Sequence, residues 1–308
     1  MKEIVAAVNK DVLVSELSRD KLVRKTNNGN NVIYCITHLD SPNVLREIGR
    51  LRELTFRAAG GGTGKELDID EFDISVTPYK QLIVWNPADQ EIVGGYRYIC
   101  CQDAVNAEGE ISLATTELLE FSEKFKKEYL PFTIELGRSF IQPKFQPGST
   151  NRKGLFSLDN LWDGLGAITV DNPAIRYLYG KVTMYTHYNV LARDMILTFM
   201  NHYFPDKDKL VWPYHPIFVK NDMTAFLKSL AGLNYKDGHR LLNSQVRALD
   251  ENIPPLINSY MNLSATMRTF GTSINTHFGN VEETGILVTI ADIYPSKKER
   301  HISSYIKA

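Results

Sequence analysis

The segment ELGRSF, residues 135–140 within PFTIELGRSFIQPKF (131–145), decides the fold. It has the composition of a buried strand, yet it holds Glu135, Gly137 and Arg138 within four positions. Buried charges are unfavourable unless they are paired. Strict strand alternation places residues 135 and 138 on opposite faces. A bulge would bring both side chains to one cleft, and glycine accommodates a bulge most easily, so we predict an irregularity at Gly137.

The neighbouring segments predict further strands and helices around this strand. Two β-rich runs, 79–86 and 91–101, are separated by the turn PADQ and predict a hairpin. Additional strands are predicted near 33–35, at 175–184 and at 284–293, and helices at 41–61, 115–130, 154–172 and 189–204. The first of these helices has Ser41 as its expected N-cap and Pro42 in its first turn.

The order of these elements predicts the fold class. Strands and helices are mixed without regular βαβ alternation, so we expect an α/β or α+β fold with a central mixed sheet flanked by helices. We expect a single domain over residues 1–308. Within this domain we expect residues 1–45 to be an N-terminal extension. We expect residues 206–250 to be a helical insertion, because this stretch is first rich in Asp and Lys and then has a helical pattern.

Composition excludes several classes of function. The formal net charge of -1 gives no basic field for binding nucleic acid. No run of about 18 apolar residues predicts a membrane span, and charges interrupt the N-terminal apolar residues, unlike a signal peptide. The three cysteines (Cys35, Cys100 and Cys101) are too few for a disulfide framework and indicate thiols in a reducing cytoplasm.

Common catalytic motifs are absent from the sequence. The seven histidines are scattered, and the acidic run DIDEFD (68–73) lacks the glycine and final glutamate of a calcium loop, so no metal is expected. GGGTGK (60–65) lacks the spacing of a phosphate-binding loop and indicates a helix terminator. Ser139 lies in a strand rather than at a strand-to-helix turn, which argues against a serine hydrolase.

Charged residues in otherwise apolar surroundings remain as candidates. They are Arg52 and Arg57 on the early helix, Asp68, Asp70 and Asp73 on the acidic loop, Arg97 in the hairpin, and Glu135 and Arg138. Arg52 alone would be interpreted as a solvated helix charge, and the aspartates as residues that solubilise a loop. For Arg97 and Glu135 the alternative to a functional site is a structural ion pair across neighbouring strands.

The order of these pieces resembles one family. RLRELTFR (50–57), LIVWNPADQEIVGGYR (82–97), ELGRSFIQPKF, LDNLWDGLGAIT (158–169) and IRYLYGKVTM follow one another as in the acyl-carrier-protein-dependent branch of the GNAT superfamily. That branch contains the N-acyltransferases of ornithine-lipid and glycine-lipid synthesis, often labelled hemolysin-like, and more distantly the acyl-homoserine-lactone synthases. The resemblance covers about residues 45–205 and 250–293. The pyrophosphate-binding loop of GNAT enzymes is not evident after residue 145, which fits a carrier-protein donor.

The resemblance implies a GNAT-like fold and an enzyme without a permanently bound cofactor. Such an enzyme would move a fatty acyl group, for example 3-hydroxyacyl, from the phosphopantetheine thioester of acyl carrier protein to the amine of glycine or ornithine. The product would be an N-acyl amino acid lyso-lipid. Its partners would be acyl carrier protein and the amino acid, in the cytoplasm and with possible peripheral contact to the inner membrane. The alternatives are a GNAT enzyme using acyl-CoA on another small amine, and a non-catalytic module that binds acyl carrier or lipid.

The resemblance also implies roles for individual residues. Glu135 and Arg138 would be catalytic, with Glu135 as general base or amine orienter. Arg138 and Arg97 would bind a carboxylate, either the substrate's or one from the acidic loop.

The remaining residues are assigned to substrate and acyl binding. Asp68, Asp70 and Asp73 would hold the substrate ammonium or clamp the early helix through Arg52 or Arg57, and Ser139 would contact substrate. Gly137, Phe140, Gly154 and Trp162 would bind acyl chain or phosphopantetheine, although core packing also explains Trp162. Arg152 and Lys153 form a small basic patch that suits an acidic carrier or a solvated loop.

Overall fold

An eight-stranded sheet forms the centre of the protein. The computed structural model describes residues 1–146, 154 and 156–307. The strand order is β1-β2-β3-β4-β6-β7-β10-β9, and a separate ribbon pairs β5 with β8. The strands are β1 (Leu22–Lys25), β2 (Val32–Ile36), β3 (Lys80–Asn86), β4 (Glu91–Cys100), β5 (Leu119–Phe121), β6 (Thr133–Ile141), β7 (Tyr177–Met184), β8 (Val211–Pro213), β9 (Arg268–Asn275) and β10 (Val281–Thr289). Neighbouring strands of the large sheet are antiparallel except for the parallel pair β6 and β7. The predicted mixed sheet is confirmed.

Helices cover both faces of this sheet. They are α1 (Lys10–Glu16), α2 (Pro42–Ala58), α3 (Glu71–Ile74), α4 (Ser157–Asp171), α5 (Val190–Tyr203), α6 (Thr224–Leu230), α7 (Tyr235–Arg247), α8 (Pro255–Met261) and α9 (Pro295–His301). Successive side chains of β3 point to opposite faces of the sheet. Leu82 packs in the apolar cluster that contains residues of α4, and Ile83 packs in the cluster that contains residues of α2. Arg97 of β4 and Glu135 of β6 alternate with residues of the α4 cluster, so their side chains project toward the α2 face.

The predicted hairpin and most predicted helices are confirmed. The helix α2 differs at its N-terminus, where Ser41 occupies the capping position but makes no capping bond. The carboxylate of Glu16 accepts instead from the backbone N–H groups of Asn43 (3.2 Å) and Val44 (2.9 Å). A carboxylate at a helix N-terminus also suits the helix dipole. This cap comes from a distant part of the chain, so local sequence did not reveal it.

The helix predicted at 115–130 is wrong. Residues 115–118 form turns, β5 follows, and a single π-helical turn spans Phe125–Tyr129. Tertiary packing explains the difference, because Phe121 and Phe125 pack against Tyr179 with ring centroids 5.7 and 5.5 Å apart. Strands β1 and β9 were not predicted either. The stretch predicted as a helical insertion, 206–250, contains the strand β8 together with α6 and α7.

Candidate active site

The parallel pairing of β6 and β7 ends in the middle of the sheet. It runs from Thr133–Tyr177 to Leu136–Gly180, after which β6 stays with β4 and β7 stays with β10. The two strands therefore diverge and leave an opening between them. Residues 137–139 form one side of the opening, and residues 181–183 form the other.

A bulge in β6 shapes the first side of this opening. The pairing with β4 passes from Arg97–Gly137 directly to Gly95–Phe140, so β6 has one residue more than β4 in this interval. Arg138 adopts a left-handed backbone with φ of 52°, which is unusual for a residue other than glycine. The predicted irregularity is confirmed, but the left-handed residue is Arg138 rather than Gly137.

A cavity of about 240 Å³ passes through this opening. Its polar wall contains Glu135, Arg138 and Ser139 of β6, Lys181 and Thr183 of β7, and Glu283 of β10. Its apolar wall contains Leu158, Leu161, Trp162 and Leu165 of α4, and Leu256 and Tyr260 of α8. One cavity thus joins a set of titratable groups on one face of the sheet to an apolar lining on the other.

Glu135 is buried at the polar end of the cavity, with 1% of its surface exposed. Its two carboxylate oxygens accept from the backbone N–H of Thr115 (3.1 Å) and from the hydroxyl of Thr115 (3.2 Å). Burial raises the pKa of Glu135 to about 7, against the opposing effects of the charges of Lys181 and Arg97 and of hydrogen bonds from Thr115. A carboxyl group with this pKa can accept a proton near neutral pH.

Arginines and aspartates form a compact charged layer beside the cavity. Arg97 pairs with Asp70 (2.5 Å) and Asp73 (3.1 Å). Arg138 pairs with Asp68 (3.0 Å) and Asp70 (3.5 Å), and its guanidinium lies 4.3 Å above the centre of a phenylalanine ring. The acidic loop therefore binds the arginines of β4 and β6, which is one of the two alternatives that the sequence left open.

Arg52 belongs to the same layer, and its interpretation as a solvated helix charge is wrong. Its side chain is fully buried and donates to Asp73 (3.0 Å) and Gln81 (2.5 Å). The neighbouring positive charges of Arg52 and Arg97 hold the pKa of Asp73 well below its usual range, despite the opposing effect of burial. Arg52 does not line the cavity, so the structure gives it a role in holding the acidic loop against α2.

Other predicted binding residues lie away from the cavity. Arg57 pairs with Glu53 (2.8 Å) rather than with the acidic loop. Phe140 packs in the apolar cluster of α2, where its ring lies 6.5 Å from that of Phe56. Gly154 is buried against the backbone of Gln146 and Phe145. The structure therefore does not bring these residues to the site, whereas Gly137, Ser139, Arg97 and Trp162 all line the cavity. Arg152 and Lys153 lie outside the described residues.

The sequence did not reveal the roles of Lys181 and Glu283 in the cavity wall, or of Thr115 beside Glu135. Lys181 binds Glu283 at 2.9 Å, and Thr115 holds Glu135. The charge of Lys181 and hydrogen bonds from Lys181 and Asn275 lower the pKa of Glu283, although burial opposes this shift. Lys181 sits inside an apolar strand, YLYGKVTM, and this was the available signal.

Metal-binding clusters and membrane-spanning helices are both absent from the described part of the chain. Residues 1–146, 154 and 156–307 contain no group of three or more His, Cys, Asp or Glu side chains placed to hold a metal ion. No helix in these ranges is long and apolar enough to cross a membrane.

Comparison with known proteins identifies the family. The model of the acetyltransferase (GNAT) domain matches residues 51–153. A glycine Nα-acyltransferase of Phocaeicola vulgatus is 53% identical over 308 residues, covering 100% of this chain and 94% of the relative. The chain belongs to this family of GNAT acyltransferases. A second glycine Nα-acyltransferase, from Bacteroides thetaiotaomicron, is 51% identical over 309 residues, covering 100% of this chain and 92% of the relative.

Family membership supports the main prediction from the sequence. The protein is an N-acyltransferase with a GNAT-like fold, as predicted. No solved structure matches the chain.

Proposed function

We propose that this acyltransferase moves a long-chain acyl group, for example 3-hydroxyacyl, from a phosphopantetheine thioester to the amine of glycine. The observation that carries the proposal is the single cavity that joins buried Glu135 to an apolar wall from α4 and α8. Glycine as acceptor is taken from the names of the two relatives. Acyl carrier protein as donor, and an N-acylglycine lipid as product, are suggested by the family resemblance.

The chemistry requires a neutral amine beside the thioester carbon. Glycine enters as an ammonium, and the C–N bond forms while the C–S bond breaks. Two protons leave the nitrogen in the process: one passes through Glu135 to solvent, and the other ends on the released thiol. A base with a pKa of about 7 is well matched to this transfer.

The bulge of β6 supports stabilisation of the transition state. Arg138 and Ser139 stand opposite the single residue Tyr96, and β7 no longer pairs with this stretch. Because alternate N–H groups of a strand point to its two neighbours, the N–H groups of this stretch that point away from β4 would be free to donate to the developing oxyanion of the thioester carbonyl. The acyl chain would pass between β6 and β7 and lie against the helices, where its burial is favourable by roughly 0.8 kcal/mol per CH₂ group.

The proposal is tested by incubating purified protein with a long-chain 3-hydroxyacyl carrier protein and an equimolar pool of amino acids. Mass spectrometry should detect N-acylglycine as the main product. A parallel reaction with the same acyl group on CoA separates the two donors. The absence of any N-acyl product, with folded protein and a competent carrier, would contradict the proposal.

Two variants separate catalysis from binding alone. Glu135→Gln should abolish most turnover and leave binding of acyl carrier protein intact. Glu108→Gln makes the same chemical change at an exposed position away from the cavity and should behave as wild type. If wild-type protein binds the acyl carrier but has no turnover to lose, it is a binding module.

A further inference from the structure

Lys181 lines the cavity, and its ammonium group has fewer hydrogen-bond partners than it has N–H donors. It follows Gly180, the last residue of β7 that pairs with β6, and it is mostly buried. Its Nζ lies 2.9 Å from a carboxylate oxygen of Glu283 and 3.3 Å from the backbone carbonyl of Ala114. An ammonium has three N–H donors, so these two contacts leave one donor for a ligand in the cavity.

Glu283 is itself held in place by its neighbours. The side-chain amide of Asn275 donates to the same carboxylate oxygen at 3.0 Å, and the hydroxyl of Thr183 lies 3.5 Å from the other oxygen. The carboxylate of Glu283 is almost fully buried. Because both of its oxygens are engaged, Glu283 fixes the position of the Lys181 ammonium at the cavity wall.

The two arginines that line the cavity differ from Lys181 in their number of carboxylate partners. Arg97 pairs with Asp70 and Asp73, and Arg138 pairs with Asp68 and Asp70. Each guanidinium thus faces two carboxylates of the acidic loop, whereas Lys181 pairs with Glu283 alone among the ion pairs of the described residues. Of the three cavity cations that the structure describes, Lys181 therefore makes the fewest direct ion pairs with carboxylates.

Lys181 also has the right position relative to Glu135. The amine nitrogen and the carboxylate carbon of glycine are only about 2.5 Å apart, so the group that binds the carboxylate must be a neighbour of the base. Tyr179 pairs with Glu135 across the strands, and Lys181 lies two residues farther along β7 on the same face. The charge of Lys181 has the largest lowering effect on the pKa of Glu135, which supports this proximity.

We propose that Lys181 binds the carboxylate of the amino-acid acceptor, with Glu283 and Asn275 holding its ammonium group in place. This inference rests on the proposed function, because it assigns the acceptor end of the same cavity. It predicts that the enzyme selects an amino acid over the corresponding amine or amide. It also places the acceptor amine between Lys181 and Glu135.

The test compares glycine with glycinamide as acceptors, using one long-chain 3-hydroxyacyl carrier protein as donor. Glycinamide keeps the amine and the size of glycine but has no negative charge. In Lys181→Met the KM for glycine should rise about 10- to 100-fold, the range expected for loss of a charge-assisted hydrogen bond, and the KM for glycinamide should change less than about threefold. Lys181→Arg, which keeps the charge, should retain the preference for glycine.

Controls separate this role from a structural one. The double variant Lys181→Met with Glu283→Gln does not leave a charged Glu283 without its ammonium partner, and it should show the same selective loss if the single variant does not fold. Lys80→Met removes a lysine that is exposed on β3 and should leave both KM values unchanged. Circular dichroism establishes that each variant is folded before the kinetics are compared.

The outcomes distinguish the inference from the proposed function. If wild-type protein makes N-acylglycine and the folded Lys181 variants lose glycine and glycinamide equally, Lys181 does not bind the carboxylate and the inference is wrong. Equal use of glycine and glycinamide by wild-type protein would overturn it as well. If wild-type protein makes no N-acylglycine at all, the proposed function itself fails.

Discussion

Glu135 should make the protein less stable as the pH rises, and Glu135→Gln should remove this effect. The carboxylate is buried, and burial raises its pKa from 4.5 to about 7. A carboxyl group with a raised folded-state pKa favours the folded state below pH 4.5, and this contribution is lost as the pH rises through 7. The substitution should therefore reduce activity while it stabilises the fold at alkaline pH.

The magnitude follows from the size of the pKa shift. One pKa unit corresponds to about 1.4 kcal/mol, so the shift from 4.5 to about 7 corresponds to about 3 kcal/mol in total. Between pH 5 and pH 8 the free energy of unfolding of wild-type protein should fall by about 2.5 kcal/mol relative to that of Glu135→Gln. Altered hydrogen bonding to Thr115 adds an offset that does not depend on pH.

The assay is urea denaturation of both proteins at pH 5 and pH 8, followed by tryptophan fluorescence. The quantity of interest is the difference between the two proteins, since other titrating groups contribute equally to both. Parallel pH dependences would refute the reasoning, because they would mean that Glu135 has the same pKa in the folded and unfolded states. Glu108→Gln serves as the control and should parallel wild type.

Two further predictions concern the supports of the site. Arg52→Met removes one of the ion-pair partners of buried Asp73 and should lower the free energy of unfolding by about 3–5 kcal/mol. As a control, Arg46→Met on the exposed side of α2 should change this free energy by less than about 0.5 kcal/mol. Equal urea midpoints for the two variants would contradict the burial argument. Gly166→Ala places a methyl group against the backbone carbonyl of His301 and should loosen α9, which hydrogen exchange would detect as faster exchange over residues 295–307. Unchanged exchange over these residues would contradict the prediction, because it would mean that α4 and α9 accommodate the methyl group without loss of stability in α9.

Local patterns in the sequence predicted much of the central sheet. The hairpin of β3 and β4 follows from two β-rich runs and a short turn, and β6 follows from its apolar alternation. Regular alternation would place the charges of Glu135 and Arg138 on opposite faces of the strand. The bulge at Arg138 interrupts this alternation and allows both residues to line one cavity. A local violation of strand rules thus marked the centre of the cavity.

The features that were missed depend on contacts between distant parts of the chain. Residues 115–130 have helical composition, but packing of Phe121 and Phe125 into the core overrides that preference. The position of Arg52 in the sequence is typical of an exposed charge on a helix. Arg52 is buried because the acidic loop, which follows it in the chain, packs against it. Lys181 and Glu283 become partners through the pairing of β7 with β10, which no local pattern reveals.

The most direct test of Glu135 as the catalytic base is the pH dependence of acyl transfer to glycine. The rate of wild-type protein divided by that of Glu135→Gln cancels the titration of glycine itself. This ratio should rise about tenfold per pH unit up to about pH 7 and then level at about 10²–10⁴. A ratio that stays near one, or that does not change with pH, would contradict the account.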